Sequence, residues 1–168
     1  MTAVDAEAAD AKFIQIAIKL AQAAARAGSG APIGCVIVLD GEIIGEGQNQ
    51  VEALNDPTAH AEIVAIRQAG AHLQRSRFQG ATLYSTLQPC GMCSMASIWA
   101  GVSRIVYGAG SGQVHRMYFE NRHLEIMDFV RDAYKEDLRV DGGVLGANCA
   151  KLHYGPDDHP PQDAQANK

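Results

Sequence analysis

Basic side chains are scarce in this sequence. Lys and Arg together number 14 against 19 Asp and Glu, a formal net charge of −5. Nucleic-acid binding draws on Lys/Arg clusters that neutralise phosphates. The densest basic stretch holds only Arg67, Arg75 and Arg77 and reads as a solvated helix end and loop, so nucleic acid is not an expected partner. Long apolar runs are lacking as well. None approaches the ~18 residues that a membrane span needs, and no membrane partner is expected. The acidic, alanine-rich start has neither a basic segment nor an apolar one before a cleavage site, which argues against a secretory leader. Cysteines number four, and two of them are best explained as metal ligands, which fits a compartment without disulfides. A reducing, cytoplasmic setting is expected.

What is present suits one globular domain. The chain has 168 residues, 47% of them hydrophobic and 20% charged. Residues 1–154 are expected to form that domain. From Gly155 on, three prolines and several charges leave little to bury, so a disordered or partner-docked tail is expected.

Two motifs carry chemistry. His60-Ala61-Glu62 is followed by Pro89-Cys90-Gly91-Met92-Cys93. One imidazole and two thiolates make three zinc ligands and leave a fourth tetrahedral position for water. Zinc would bring that water's pKa to about 7, and Glu62 could then move protons. Pro-Cys-x-x-Cys alone also fits half of a structural zinc site or a redox pair. Neither alternative gives Glu62 a purpose. Cys35, inside the apolar run 33–39, and Cys149 near the end both read as core residues.

Periodicity predicts a helix over 10–27, with Phe13, Ile16, Ala17, Leu20 and Ala24 at helical spacing. Strands are expected at 33–39 and 42–48, joined by a turn at Asp40-Gly41. A helix from about 59 to 71 would start at a Thr58 cap and carry His60 and Glu62 in its first turn. A strand at 82–86, a helix opening near Pro89, a strand at 104–108, a helix over 124–134 and a strand over 139–145 complete the series. Met92, Ala96 and Trp99 form a stripe expected to pack on the sheet. Strands alternating with helices imply a three-layer α/β/α sandwich around a mostly parallel five-stranded sheet, the first hairpin antiparallel.

From Pro32 to Gly108 the chain resembles the cytidine deaminase-like superfamily. It is similar to the branch of bacterial guanine deaminases, cytosine deaminases and tRNA adenosine deaminases. The carrying residues are Pro32-Ile33-Gly34, Gly47-Gln48-Asn49, the run Asn55 to Glu62, and Thr82 to Cys90. The resemblance implies one Zn²⁺ per subunit on His60, Cys90 and Cys93, with Glu62 as proton shuttle. It implies that Asn49 contacts the substrate, with Ala61 and the backbone around Gln88 beside it. It implies hydrolytic deamination of an aromatic heterocycle that bears C–NH₂ next to a ring nitrogen, and a homodimer or larger homo-oligomer.

The substrate is less marked. Gln88 stands where the guanine and tRNA enzymes usually have Glu. The Lys-Thr-Gly-Ala-type loop of the tRNA enzymes is replaced here by Ser111 to Glu120, and the tail is acidic. The loop and the tail, with the −5 charge, favour a free amino-heterocycle, such as guanine, an s-triazine or an azapyrimidine; the Gln88 change is assigned no effect. Cytosine and a tRNA adenosine are the alternatives, and a non-catalytic zinc module is the rival class. Tyr118, Phe119, Glu120, His115 and His123 are candidates for reading the substrate.

Overall fold

The computed structural model describes residues 3–119, 128 and 138–161. Helix α1 (Ala3–Ala27) opens the chain, seven residues longer at its start than its apolar spacing predicts. Its inward stripe is Phe13, Ile14, Ala17, Ala21 and Ala24, all buried. Strands β1 (Gly34–Leu39) and β2 (Glu42–Gln48) follow. Asp40 and Gly41 between them both have positive φ, 53° and 84°, as a tight two-residue hairpin demands. The polar stretch between β2 and the next long helix contains a single helical turn, α2 (Val51–Leu54). Then come α3 (Ala61–Leu73), β3 (Thr82–Leu87), α4 (Gly91–Trp99) and β4 (Arg104–Ala109). A 3₁₀ turn (Arg116–Tyr118), β5 (Arg139–Asp141) and α5 (Gly146–Ala150) complete the described elements.

The five strands form one mixed sheet in the order β2-β1-β3-β4-β5. β3–β4 and β4–β5 pair in parallel, while β1 is antiparallel to both β2 and β3. The second antiparallel pairing follows from the connection. The β2–α3–β3 crossover sets β3 parallel to β2, with β1 between them running the other way.

Glycines in the sheet place the helices. Gly34 and Cys35 are neighbours in β1, so they face opposite sides. A Cβ on Gly34 would fall 2.1 Å from the Ala17 carbonyl of α1. Cys35 pairs with Gly47, where a Cβ would fall 2.1 Å from the Ala61 carbonyl of α3. α1 and α3 therefore cover opposite faces, as the expected three-layer sandwich requires. Ile14, Val36, Ile37, Leu83, Ile105 and Val106 fill the space between.

A partly buried polar cluster ties α1 to the sheet. Arg104 donates to both Asp10 oxygens at 2.8 and 2.7 Å and to Asp141 at 2.6 Å. The Tyr84 hydroxyl donates to Asp10 at 2.9 Å. Burial and the Asp10 carboxylate push the Tyr84 phenol up, so it stays a donor.

Several expectations need correction. Thr58 does not cap α3. Its N–H and hydroxyl both donate to Asp56 Oδ1, at 2.8 and 2.7 Å, and His60 is the N-cap instead. Trp99 is 68% exposed rather than packed on the sheet, because α4 turns Cys93, Ser94, Ser97 and Ile98 inward. The small serines let the helix sit close, and Ser97 Oγ donates to the Cys93 carbonyl at 2.8 Å. The last strand stops at Asp141. The helix expected over 124–134 lies outside the described residues. Of the expected tail, residues 155–161 are described and begin in a turn where Gly155 N–H donates to Asp158 at 2.6 Å. Residues 162–168 lie outside the description.

Candidate active site

The site forms where the C-terminal end of β3 meets the starts of α3 and α4. His60 and Cys90 are the N-caps of the two helices, both in extended backbone conformation (φ −65° and −72°), and neither side chain makes a capping hydrogen bond. An N-cap projects its side chain off the helix end, which here sends both toward a common point. Cys93 comes in from one turn along α4.

His60 Nδ1 stands 3.7 Å from Cys90 Sγ and 3.6 Å from Cys93 Sγ. All three ligand atoms lie within 4.8 Å of one another. Tetrahedral zinc, with Zn–N of about 2.0–2.1 Å and Zn–S of about 2.3 Å, sets nitrogen and sulfur roughly 3.6 Å apart. The donor set and its spacing fit that ion. The Cys93 thiol hydrogen-bonded to Cys90, helped by His60, holds the Cys90 thiol down at about 4, so Cys90 offers a thiolate at neutral pH. Cys93 is pushed up by that same bond and by burial. A metal ion would reverse the shift at Cys93, since a coordinated thiol is deprotonated.

Glu62 sits in the first turn of α3 and is 3% exposed. Its Oε1 accepts from Ser85 Oγ at 3.0 Å and its Oε2 from Cys93 Sγ at 3.5 Å. Burial first, and the Cys90 charge second, raise its carboxyl above the ordinary range. A carboxyl raised in this way is a stronger proton acceptor than an ordinary carboxylate, as a proton shuttle requires.

A pocket opens over this group, lined by Ala31, Ile33, Asn49, His60, Glu62, Leu87, Gln88, Cys90 and Tyr118. Asn49 is 3% exposed and pinned on several sides. Its Oδ1 accepts from Val51 N–H at 3.1 Å and its carbonyl from Ser29 Oγ at 2.8 Å. Gly30 makes room for it, since a Cβ there would fall 2.1 Å from Asn49 Oδ1. With the side-chain oxygen occupied, the Asn49 amide NH₂ is the group suited to a ligand acceptor. The Gln88 N–H donates to Ala109 at 2.9 Å, so a backbone contact from Gln88 to a ligand has to come from its carbonyl.

The other expected site residues divide. Tyr118 lines the pocket. Ala61 does not; it is fully buried against Gly47. His115 turns inward on its own backbone, Nδ1 accepting from Met117 N–H at 3.2 Å. Phe119 packs beside the core. Glu120 and His123 lie outside the described residues. Cys35 and Cys149 are fully buried and are not members of the ligand group, as read from sequence. Ser85, Ala31, Ile33 and Leu87 went unremarked as site residues. Ser85 pairs with Cys35, and that register puts it on the α3 face beside Glu62; it needed the three-dimensional pairing to be seen.

Comparison with known proteins agrees with this geometry. The family described as cytidine and deoxycytidylate deaminase zinc-binding region matches residues 7–109. A tRNA-specific adenosine deaminase of Buchnera aphidicola subsp. Schizaphis graminum is 36% identical over 143 residues, 85% of this chain and 90% of the relative. Guanine deaminase of Bacillus subtilis is 46% identical over 97 residues, 58% of this chain and 62% of the relative. A structure from work on A-to-I editing by tRNA:A34 deaminases superposes with a TM-score of 0.72 at 34% identity, covering 84% of this chain and 98% of that one.

Proposed function

The chain belongs to the cytidine and deoxycytidylate deaminase zinc-binding family, and from that premise we propose that it replaces the exocyclic amine of a purine ring by a carbonyl, consuming one water and releasing one ammonia. The observation that carries this reading is the buried Glu62 carboxylate beside the His60, Cys90 and Cys93 group. In this reading those three residues hold zinc, one ion per subunit of a homo-oligomer. When bound, zinc lowers the pKa of a coordinated water to about 7 and so supplies a nucleophile at neutral pH.

The chain's own residues do the rest. Glu62 takes the proton of the water, passes it to the ring nitrogen next to the aminated carbon, and returns a proton to the departing amine. Ser85 holds Glu62 in place for both transfers. The Asn49 amide donates to the edge of the base and fixes its orientation. The Gln88 carbonyl accepts from the leaving N–H. Ala31, Ile33 and Leu87 keep the walls apolar and limit water.

Adenine carried in a tRNA loop is the substrate form we place first. Two proteins named for it cover 83–85% of this chain at 36–38% identity, whereas the guanine deaminase of Bacillus subtilis covers 58%. This order reverses the one expected from the replaced loop 111–120, the acidic tail and the net charge. A free base such as guanine is the second reading, and a specific observation favours it. Tyr118 is only 8% exposed and gives the described pocket an aromatic wall, which suits a flat ring. The −5 charge also offers few cations for phosphates.

The test is one panel assayed in parallel: an anticodon stem-loop RNA with adenosine at the wobble position, free purines and pyrimidines, their nucleosides, triazines and pterins. Ammonia release and product mass are read for wild type and Glu62→Gln, each with its zinc content. Inosine formed in the RNA with the free bases inert supports the first form; the opposite pattern supports the second. Glu62→Gln should keep its zinc and lose at least about 10²-fold in turnover. Equal activity in that variant would return the site to a structural role.

A further inference from the structure

Eight of the nine pocket residues lie between Ala31 and Cys90, and the ninth, Tyr118, lies beyond β4. Tyr118 is also outside the stretch that matches the family. What holds it there comes from farther along still. His115 N–H donates to the Tyr154 carbonyl at 2.7 Å, and Tyr154 N–H donates to the Tyr118 hydroxyl at 3.3 Å. Tyr154 is thus bonded through both sides of its backbone to the turn that carries Tyr118. The Tyr118 ring meets His153 edge-on, with centroids 4.7 Å apart and planes at 66°.

His153 is an unusual residue for such a contact. Both its ring nitrogens are buried, and neither has a hydrogen-bond partner among the described residues. Burial pushes the imidazole down to about 4, so the ring is neutral at physiological pH. A neutral imidazole with unpaired nitrogens acts here as a flat aromatic block.

We propose that the His153–Tyr154 segment is a clamp that holds Tyr118 over the pocket, with His153 a positioning residue that sets substrate affinity through Tyr118 rather than by touching the zinc group. The proposal rests on the pocket being the substrate site. Its structural half can be read without any substrate. In the full-length zinc-loaded protein, His153→Ala should speed amide hydrogen exchange across residues 115–119 and leave zinc content and exchange at 60–64 unchanged. Its functional half follows. With the substrate found by the panel, His153→Ala should raise KM about five- to tenfold, the worth of one aromatic edge contact, and change kcat less than twofold.

Two further variants separate clamping from general damage. His153→Phe keeps a ring at the same place and should restore the wild-type KM. Tyr118→Ala should raise KM on its own, and adding His153→Ala should cost no more, because one residue acts through the other. Unchanged exchange at 115–119 in His153→Ala would overturn the clamp. So would a His153→Phe variant as weak as His153→Ala, or fully additive effects in the double variant. A wild-type protein that deaminates nothing in the panel would instead overturn the purine reading, with the exchange result still deciding whether the clamp exists.

Discussion

Replacing Gly47 by Ala should disable the site from a distance. Gly47 is not in the pocket; it lies in β2 under the first turn of α3. A Cβ built there falls 2.1 Å from the Ala61 carbonyl oxygen, 2.6 Å from Ala65 N and 3.1 Å from the Ala61 carbonyl carbon. All three are backbone atoms, so no side chain can swing aside. Ordinary contact begins near 3.4 Å, so the start of α3 has to retreat by more than about 1 Å. Ala61 sits between His60 and Glu62, and both move with it. A 1 Å misplacement can cost about 10²-fold in rate, and overpacking costs roughly 1–3 kcal/mol of stability. Gly45→Ala is the matched comparison. Its Cβ would fall 2.4 Å from the Ala65 carbonyl, one turn farther from His60. Both variants should lose similar stability in urea titrations. Only Gly47→Ala should lose about 10²-fold in kcat and weaken zinc retention during dialysis. Turnover within threefold of wild type in Gly47→Ala would refute the claim that this seam positions the site.

Other outcomes follow from the same geometry. Ser85→Ala leaves Glu62 Oε1 without its 3.0 Å donor and should lower kcat about tenfold with zinc unchanged, measured by ammonia release and metal analysis. Asp10→Asn strips Arg104 of a charged partner in a cluster that does not line the pocket. Arg104 keeps 20% exposure, so the cost is discounted to about 2 kcal/mol in urea midpoints, with kcat intact. His153 gives a pH signature. Its folded pKa of about 4 lies below the ordinary 6.5, so the unfolded chain binds the proton first. Its contribution is fully present above pH 6.5 and is lost as pH falls toward 4. Between pH 7 and pH 5 wild type should lose about 2 kcal/mol more than His153→Phe, read from urea midpoints; parallel losses would contradict the assignment.

Much of this fold was legible because local chemistry and the global arrangement agree. The apolar run of β1, the Asp40-Gly41 turn and the small residues along α1 each specify one conformation. Legibility ended where two residues compete for one role. Thr58 has the chemistry of a cap, yet Asp56 takes its donors and the helix starts two residues later. Trp99 shows that an apolar stripe does not settle which side of a helix is inward, since a serine face can pack more closely. The metal ligands and Glu62 could be read because their spacing encodes the chemistry directly. Tyr118 of the far wall was legible as a candidate, but what holds it was not. That depends on Tyr118 meeting His153 and Tyr154, 35 and 36 positions along the chain, a contact with no periodic trace.

His60 and Cys90 each begin a helix, and neither helix start is closed by a side-chain hydrogen bond. An ion shared between them would act as a cross-link between two segments thirty residues apart. The site's chemistry and the chain's folding would then draw on the same free-metal concentration. Above the dissociation constant, each tenfold rise in free zinc would add about 1.4 kcal/mol to the folded state. Scarcity of the metal would be felt first as loosened helix ends and a shorter-lived protein, with lost turnover as one symptom.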